Sequence, residues 1–243
     1  MFSNVMTRSQ AQLELSSSRD ADNDRNNNFT KPVMAMLTAG PVSKTYHIGE
    51  EMEVQGRWGK VLLATDRETG EKRAVRRVKL GRKTNLDNVS KMVKQLLVPR
   101  HPNIVKYQGA ALIPKELCLA MTLCNCSLTK VMPLSPKQLL FTCKEVVTGL
   151  AYLHKKGMVH GAVRASNVLL DKDGRARLGD WGLHTVIDRD RVLQWEAPEV
   201  RSGEQVTKRS DVWSVGVLMV ECALGKYHIR TTDWPVPSHY LAR

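Results

Sequence analysis

Ser135-Pro136 opens the segment that most constrains the fold. Serine accepts hydrogen bonds from the free N–H groups at a helix start, and proline fits the first helical position at no cost. Leu139, Leu140, Cys143, Val146, Val147, Leu150 and Leu153 then recur at helical spacing, and Gly157 closes the run. The pattern predicts a long amphipathic helix in mid-chain. Ahead of it the residues read mainly as strands. Val61, Leu63 and Thr65 alternate with other residues, a turn signal follows in Asp66–Glu71, and Lys72–Leu80 reads as the partner strand. Asp87–Leu97 reads as one helix, ended by Pro99 and H-P-N, and Leu117–Leu123 as a buried strand. The order is strands, one helix, more strands, then helices. It predicts an α+β protein with a small β-rich lobe joined to a mainly helical one.

Residues 1–44 are rich in Ser, Asn, Asp and Arg and show no hydrophobic periodicity, so a disordered tail is expected there. The longest apolar stretch, around Val212–Gly225, carries Glu221 and is too short to cross a bilayer. The first residues hold no apolar core of signal-peptide length, so a cytoplasmic location and no membrane span are expected. The five cysteines, an odd number, fit free thiols in a reducing compartment. The net charge of +13 is scattered, without the run of aromatics that a base-stacking surface needs, which argues against nucleic acid as a partner.

Several motifs follow one another in a fixed order. Q-G-R-W-G-K-V spans Gln55–Val61, and R-A-V-R-R-V-K-L contains Ala74 and Arg76. E-L-C-L-A-M-T-L-C-N-C-S-L spans Glu116–Leu128, and H-G-A-V-R-A-S-N spans His160–Asn167. D-W-G at Asp180–Gly182 stands thirteen positions after Asn167, with LLDKDGRARL between, and W-E-A-P-E and S-D-V-W-S-V-G-V-L come later. In this order and spacing the set resembles the protein kinase family, from about Tyr46 to about Gly225.

The resemblance implies a bilobal kinase-like fold over 45–225. Its small lobe would cover about 45–121, and its helical lobe about 125–225. It implies a nucleotide pocket formed by Val54, Gly56, Gly59, Val61, Ala74, Arg76, the gatekeeper Met121 and Leu169. Asn167 and Asp180 would hold Mg²⁺ through oxygen ligands. ATP and Mg²⁺ are the cofactors it points to, and Asp211 would brace the loop at 160–167.

The departures fall on the chemistry. Val54 replaces a glycine of the phosphate loop. Arg76 stands where the family has lysine, and a forked guanidinium is no neutral substitute for a point-charge ammonium. No Asp or Glu lies between Asp87 and Glu116, so the glutamate that pairs with that lysine is missing too. Ala162 stands at the catalytic aspartate, Arg164 at the catalytic-loop lysine, Gly161 at the neighbouring arginine and Val192 at a supporting threonine. A methyl group cannot accept the substrate hydroxyl's proton, and loss of a general base costs ~100- to 10,000-fold. Residues 226–243 show no kinase-like pattern, which suggests an incomplete helical lobe with a divergent tail. Glu199 would then lack its usual arginine partner.

The leading expectation is a pseudokinase. It would bind ATP and act as a signalling scaffold or allosteric regulator on a protein partner, another kinase among the candidates. Two readings stay open beside it: an unorthodox active serine/threonine kinase, and a scaffold that binds no nucleotide.

Overall fold

The computed structural model describes residues 46–52, 59–81, 84–113, 116–186 and 195–225. The expected N-terminal tail, Val54, Gly56, Val192 and the segment after Gly225 lie outside them.

The first lobe is a five-stranded antiparallel sheet in the order β1-β2-β3-β5-β4. Its strands are β1 (Tyr46–Met52), β2 (Val61–Asp66), β3 (Lys72–Lys79), β4 (Tyr107–Ile113) and β5 (Glu116–Thr122). The turn between β2 and β3 is built by Asp66, whose carboxylate accepts from the N–H groups of Glu68 and Thr69. Gly70 completes it at φ 70°, a left-handed conformation that glycine adopts without strain. Side chains of a strand alternate between faces. Thus Val75, with Ala64 and Ala120, forms a small outer cluster, while Ala74 and Val78 face the main core with Val61 and Met121.

Helix α1 (Leu86–Leu96) is capped by the Asn85 side chain, which accepts from the N–H groups of Asp87 and Asn88. It buries Val89, Met92, Val93 and Leu96, each worth roughly 1.5–3 kcal/mol by removal from water.

The second part starts with β6 (Cys126–Ser127), which pairs with β7 (Val168–Leu170), which in turn pairs with β8 (Ala176–Leu178). Helix α2 (Pro136–Lys155) runs where the sequence placed it, with a full capping box between Ser135 and Gln138. It buries Thr142, Cys143, Val146, Gly149, Leu150 and Leu153. Leu140 and Val147 differ from the periodic expectation: they sit at one edge of the stripe and are 74% and 50% exposed. The apolar stripe is wider than the face the described residues cover. A short α3 (Pro198–Arg201) follows. Then α4 (Lys208–Leu224) is closed by a Thr207–Ser210 capping box at one end and Gly225 at φ 67° at the other. All five cysteines are free. No helix of the described residues is long and apolar enough to cross a membrane.

One apolar core runs through both lobes. It contains Val61, Leu119 and Met92 from the first, and Leu150, Leu178, Trp181 and Leu218 from the second. The lobes also share backbone bonds, since Val105 N–H donates to Leu178 O at 2.9 Å and Leu178 N–H donates to Asn103 O at 2.9 Å.

Gly149 lies inside α2, where alanine is ordinarily favoured by about 1 kcal/mol. Here a Cβ would meet Asn103 O at 2.7 Å. That oxygen is held in place by the bond from Leu178 and cannot retreat cheaply. Gly149→Ala is therefore expected to lower stability by about 1–3 kcal/mol, read as a lower midpoint in urea. A rise would mean that α2 is not pressed against the Asn103 loop.

Candidate functional site

The site lies where β3, the loop at 160–167 and the D-W-G turn meet. Arg76 is on β3, opposite Val61 on β2, and Ala74 is opposite Met121 on β5. Val61, Ala74, Arg76 and Met121 are all buried, and half-buried Leu169 lies on β7 beside Gly179. Gly59 enters β2 at φ 105°, and a Cβ there would stand 1.8 Å from Arg77 O. Only glycine fits, because the obstacle is backbone.

Arg76 Nε lies 2.8 Å from Asp180 Oδ1, and the two side chains are 3% and 5% exposed. The first residue of D-W-G therefore neutralises the arginine that replaces lysine. The reason is on α1. Its one carboxylate, Asp87, is exposed in the first turn, and the face it buries carries only Val89, Met92, Val93 and Leu96. A buried guanidinium needs an anion, and Asp180 supplies it.

Asp180 is held from its backbone as well. It is the one non-glycine residue with positive φ among the described residues, at 58°, a conformation that Asp tolerates better than most. Its N–H donates to the Tyr107 hydroxyl at 2.9 Å. Tyr107 is fully buried on β4, and burial first, then the nearby Asp180 carboxylate, push its phenol well above the usual range. The hydroxyl stays protonated. Trp181 is buried at 1% exposure and anchors the turn in the core. Gly182 N–H donates to His160 O at 2.9 Å.

The loop at 160–167 is assembled around Asp211 of α4. One oxygen of Asp211 accepts from Gly161 N–H at 2.8 Å. The other accepts from His160 N–H at 2.8 Å and lies 2.8 Å from His154 Nε2. Asn167 Nδ2 donates to Ala162 O at 2.8 Å, and Gly179 N–H donates to Asn167 O at 2.8 Å. That last bond ties Asn167 to the residue just before Asp180. Ala162 is buried and its methyl offers no acceptor.

His160 offers no free base beside Ala162. It is fully buried, and its Nδ1 accepts from Ala162 N–H at 3.2 Å. Burial lowers its pKa to about 4, with the neighbouring His184 adding to the fall and Asp211 opposing it. Beside it, Gly161 has φ 73°, and a Cβ there would fall 2.1 Å from the His184 ring. His184 occupies the room next to the position where a longer side chain would leave the loop.

Arg164 is likewise committed. Its guanidinium carbon sits 5.6 Å from the centre of the Trp195 ring, a cation–π distance. Trp195 Nε1 donates to Glu221 Oε2 at 2.8 Å, and Ala165 N–H donates to the same oxygen at 3.3 Å. Burial raises the Glu221 pKa, while Trp195, Ala165 and the charge of Arg164 pull it down. Arg164 therefore belongs to a buried cluster within the second lobe. Glu199, expected to lack its usual arginine partner, is only half-buried, so its carboxylate does not bear a full desolvation penalty.

The sequence reading missed three participants: Tyr107, His184 and Glu221. All three depend on folding and carried no local signal.

The model of the family described as protein kinase domain matches residues 46–234. Cell division control protein 7 of Schizosaccharomyces pombe is 34% identical over 181 residues, covering 69% of this chain and 17% of the relative. Serine/threonine-protein kinase PAK mbt of Drosophila melanogaster is 29% identical over 184 residues, or 71% of this chain and 29% of the relative. Serine/threonine-protein kinase cst-1 of Caenorhabditis briggsae is 30% identical over 186 residues, or 71% and 37%. The chain thus spans well under half the length of these relatives.

The buried neutral His160 sets a pH dependence. Its folded pKa of about 4 lies below the ordinary 6.5, so the unfolded chain binds more protons between those values. Stability contributed by this group is complete above pH 6.5 and is lost as pH falls toward 4, by up to about 3 kcal/mol. Urea midpoints at pH 7.5 and 5 should show the decline, and His160→Gln should flatten it. An equally steep decline in the variant would assign the loss to other groups.

Proposed function

The chain belongs to the protein kinase family, and we propose that within it this protein is a pseudokinase: a nucleotide-binding kinase fold that acts through protein contacts rather than by phosphoryl transfer. The observation that carries this reading is the state of the loop at 160–167. Its backbone is braced by Asp211 and Asn167 as a working loop would require. The side chain at its centre is the methyl of Ala162.

Phosphoryl transfer rests on positioning and charge, with one group orienting the attacking hydroxyl. Nothing at position 162 can accept that proton. His160 is buried and bonded to the loop itself, and Arg164 is stacked on Trp195. The serine/threonine kinase relatives support the same nucleotide, ATP, as the ligand class. The pocket for it would be walled by Val61, Ala74, Met121 and Leu169, with Arg76 at the phosphate end. The kinase resemblance gives Mg²⁺ to Asp180 and Asn167, but the Asp180 carboxylate is already engaged by Arg76. The output would be a scaffolding or allosteric effect on a protein partner in the cytoplasm, with another kinase as the candidate.

Purified chain with radiolabelled ATP and generic protein substrates should give no incorporation above that of Asp180→Ala. Ordinary kinase turnover that disappears in Asp180→Ala would make this an active enzyme and end the proposal.

A further inference from the structure

The Arg76–Asp180 pair bears on what form of nucleotide the pocket can accept. The inference rests on the nucleotide-binding reading above and goes one step further.

A divalent cation in this cleft needs oxygen ligands that carry net negative charge. Asp180 is the only carboxylate of the candidate pair, and Asn167 is neutral. The Arg76 guanidinium, 2.8 Å from Asp180 Oδ1, already cancels that charge. Arginine is not deprotonated in proteins, so the cancellation is permanent. A dication bound to Asp180 would stand beside a fixed cation in a buried, low-dielectric place, where like charges repel strongly. Among the described residues no group of three or more His, Cys, Asp or Glu could hold a metal ion. The residues present do not fit Mg²⁺.

They do fit an anion. Arg76 is 97% buried, yet its Nη1 has no hydrogen-bond partner. A buried guanidinium nitrogen without an acceptor is costly, and the apolar face of α1 offers none. A phosphate oxygen is the acceptor that matches a guanidinium in charge and geometry. Tyr107 and the left-handed backbone of Asp180 fix the turn that sets the carboxylate against Nε, so the two nitrogens have separate tasks. Nε is used to neutralise the protein and Nη1 is left for the ligand.

We infer that this pocket binds a nucleoside di- or triphosphate without a divalent cation, with the Arg76 guanidinium standing where the metal's charge would be needed. Asp180 serves as the internal counter-ion of Arg76 and not as a metal ligand.

The test is thermal melting of the full chain with ATP and with ADP, each in EDTA and in excess Mg²⁺, against nucleotide-free baselines in the same buffers. Native-state binding raises the midpoint by mass action, and the affinities derived in the two buffers should agree within about twofold. Arg76→Gln, which removes the cation and frees Asp180, should lose the shift in EDTA. A shift in wild type that EDTA abolishes, or cuts by more than half, overturns the inference and leaves nucleotide binding standing. No shift in either buffer overturns both. If Arg76→Gln does not fold, the wild-type comparison of EDTA with Mg²⁺ decides alone.

Discussion

The contact between Arg76 and Asp180 sets the character of the site, because a buried guanidinium cannot shed its proton and must find an anion. Removing one partner of such a pair costs about 3–5 kcal/mol, since a charge is then left unpaired out of water. In this chain the demand falls on the D-W-G turn, because the buried face of α1 carries no carboxylate and its one acidic residue, Asp87, is exposed. The result is a closed electrostatic circuit between β3 and the turn. Position control of α1 passes to other forces: its apolar face, and the Thr84 hydroxyl that donates to Val186 O at 3.5 Å. The helix is held by packing rather than by charge.

Around that pair the loop at 160–167 shows how separable shape and chemistry are. Asp211, His160 and Glu221 organise its backbone from below, and none of them needs the side chain at 162. Each of these bonds ends on a backbone N–H, which every residue but proline supplies. The loop could therefore lose its proton acceptor and keep its form. The outer surface of the fold follows from that form, whichever side chain stands at 162.

The lobes, the long helix and the motif order were legible because they rest on local rules. Ser135-Pro136 supplied a cap, the Asp66–Glu71 turn carried its own hydrogen-bonding side chain, Val61, Leu63 and Thr65 alternated as strands do, and Leu117–Leu123 made one apolar run. The absent carboxylate of α1 was legible too, as a count of acidic residues. What replaced it was not. The sequence reading gave Arg76 to the nucleotide and Asp180 to a metal, and nothing local says that residues 104 positions apart, 180 − 76, will pair. Leu140 and Val147 failed for a related reason: periodicity reports which residues are apolar, while the neighbours decide how wide a stripe is covered.

Gly161 and His184 carry a consequence for substitution. Any larger residue at 161 would have to adopt a left-handed backbone and enter the volume of the imidazole. A change at 161 is therefore tied to one at 184: the ring has to move or shrink before a side chain can stand beside it. The two positions form one steric unit, and the effects of substitution at them are coupled rather than additive.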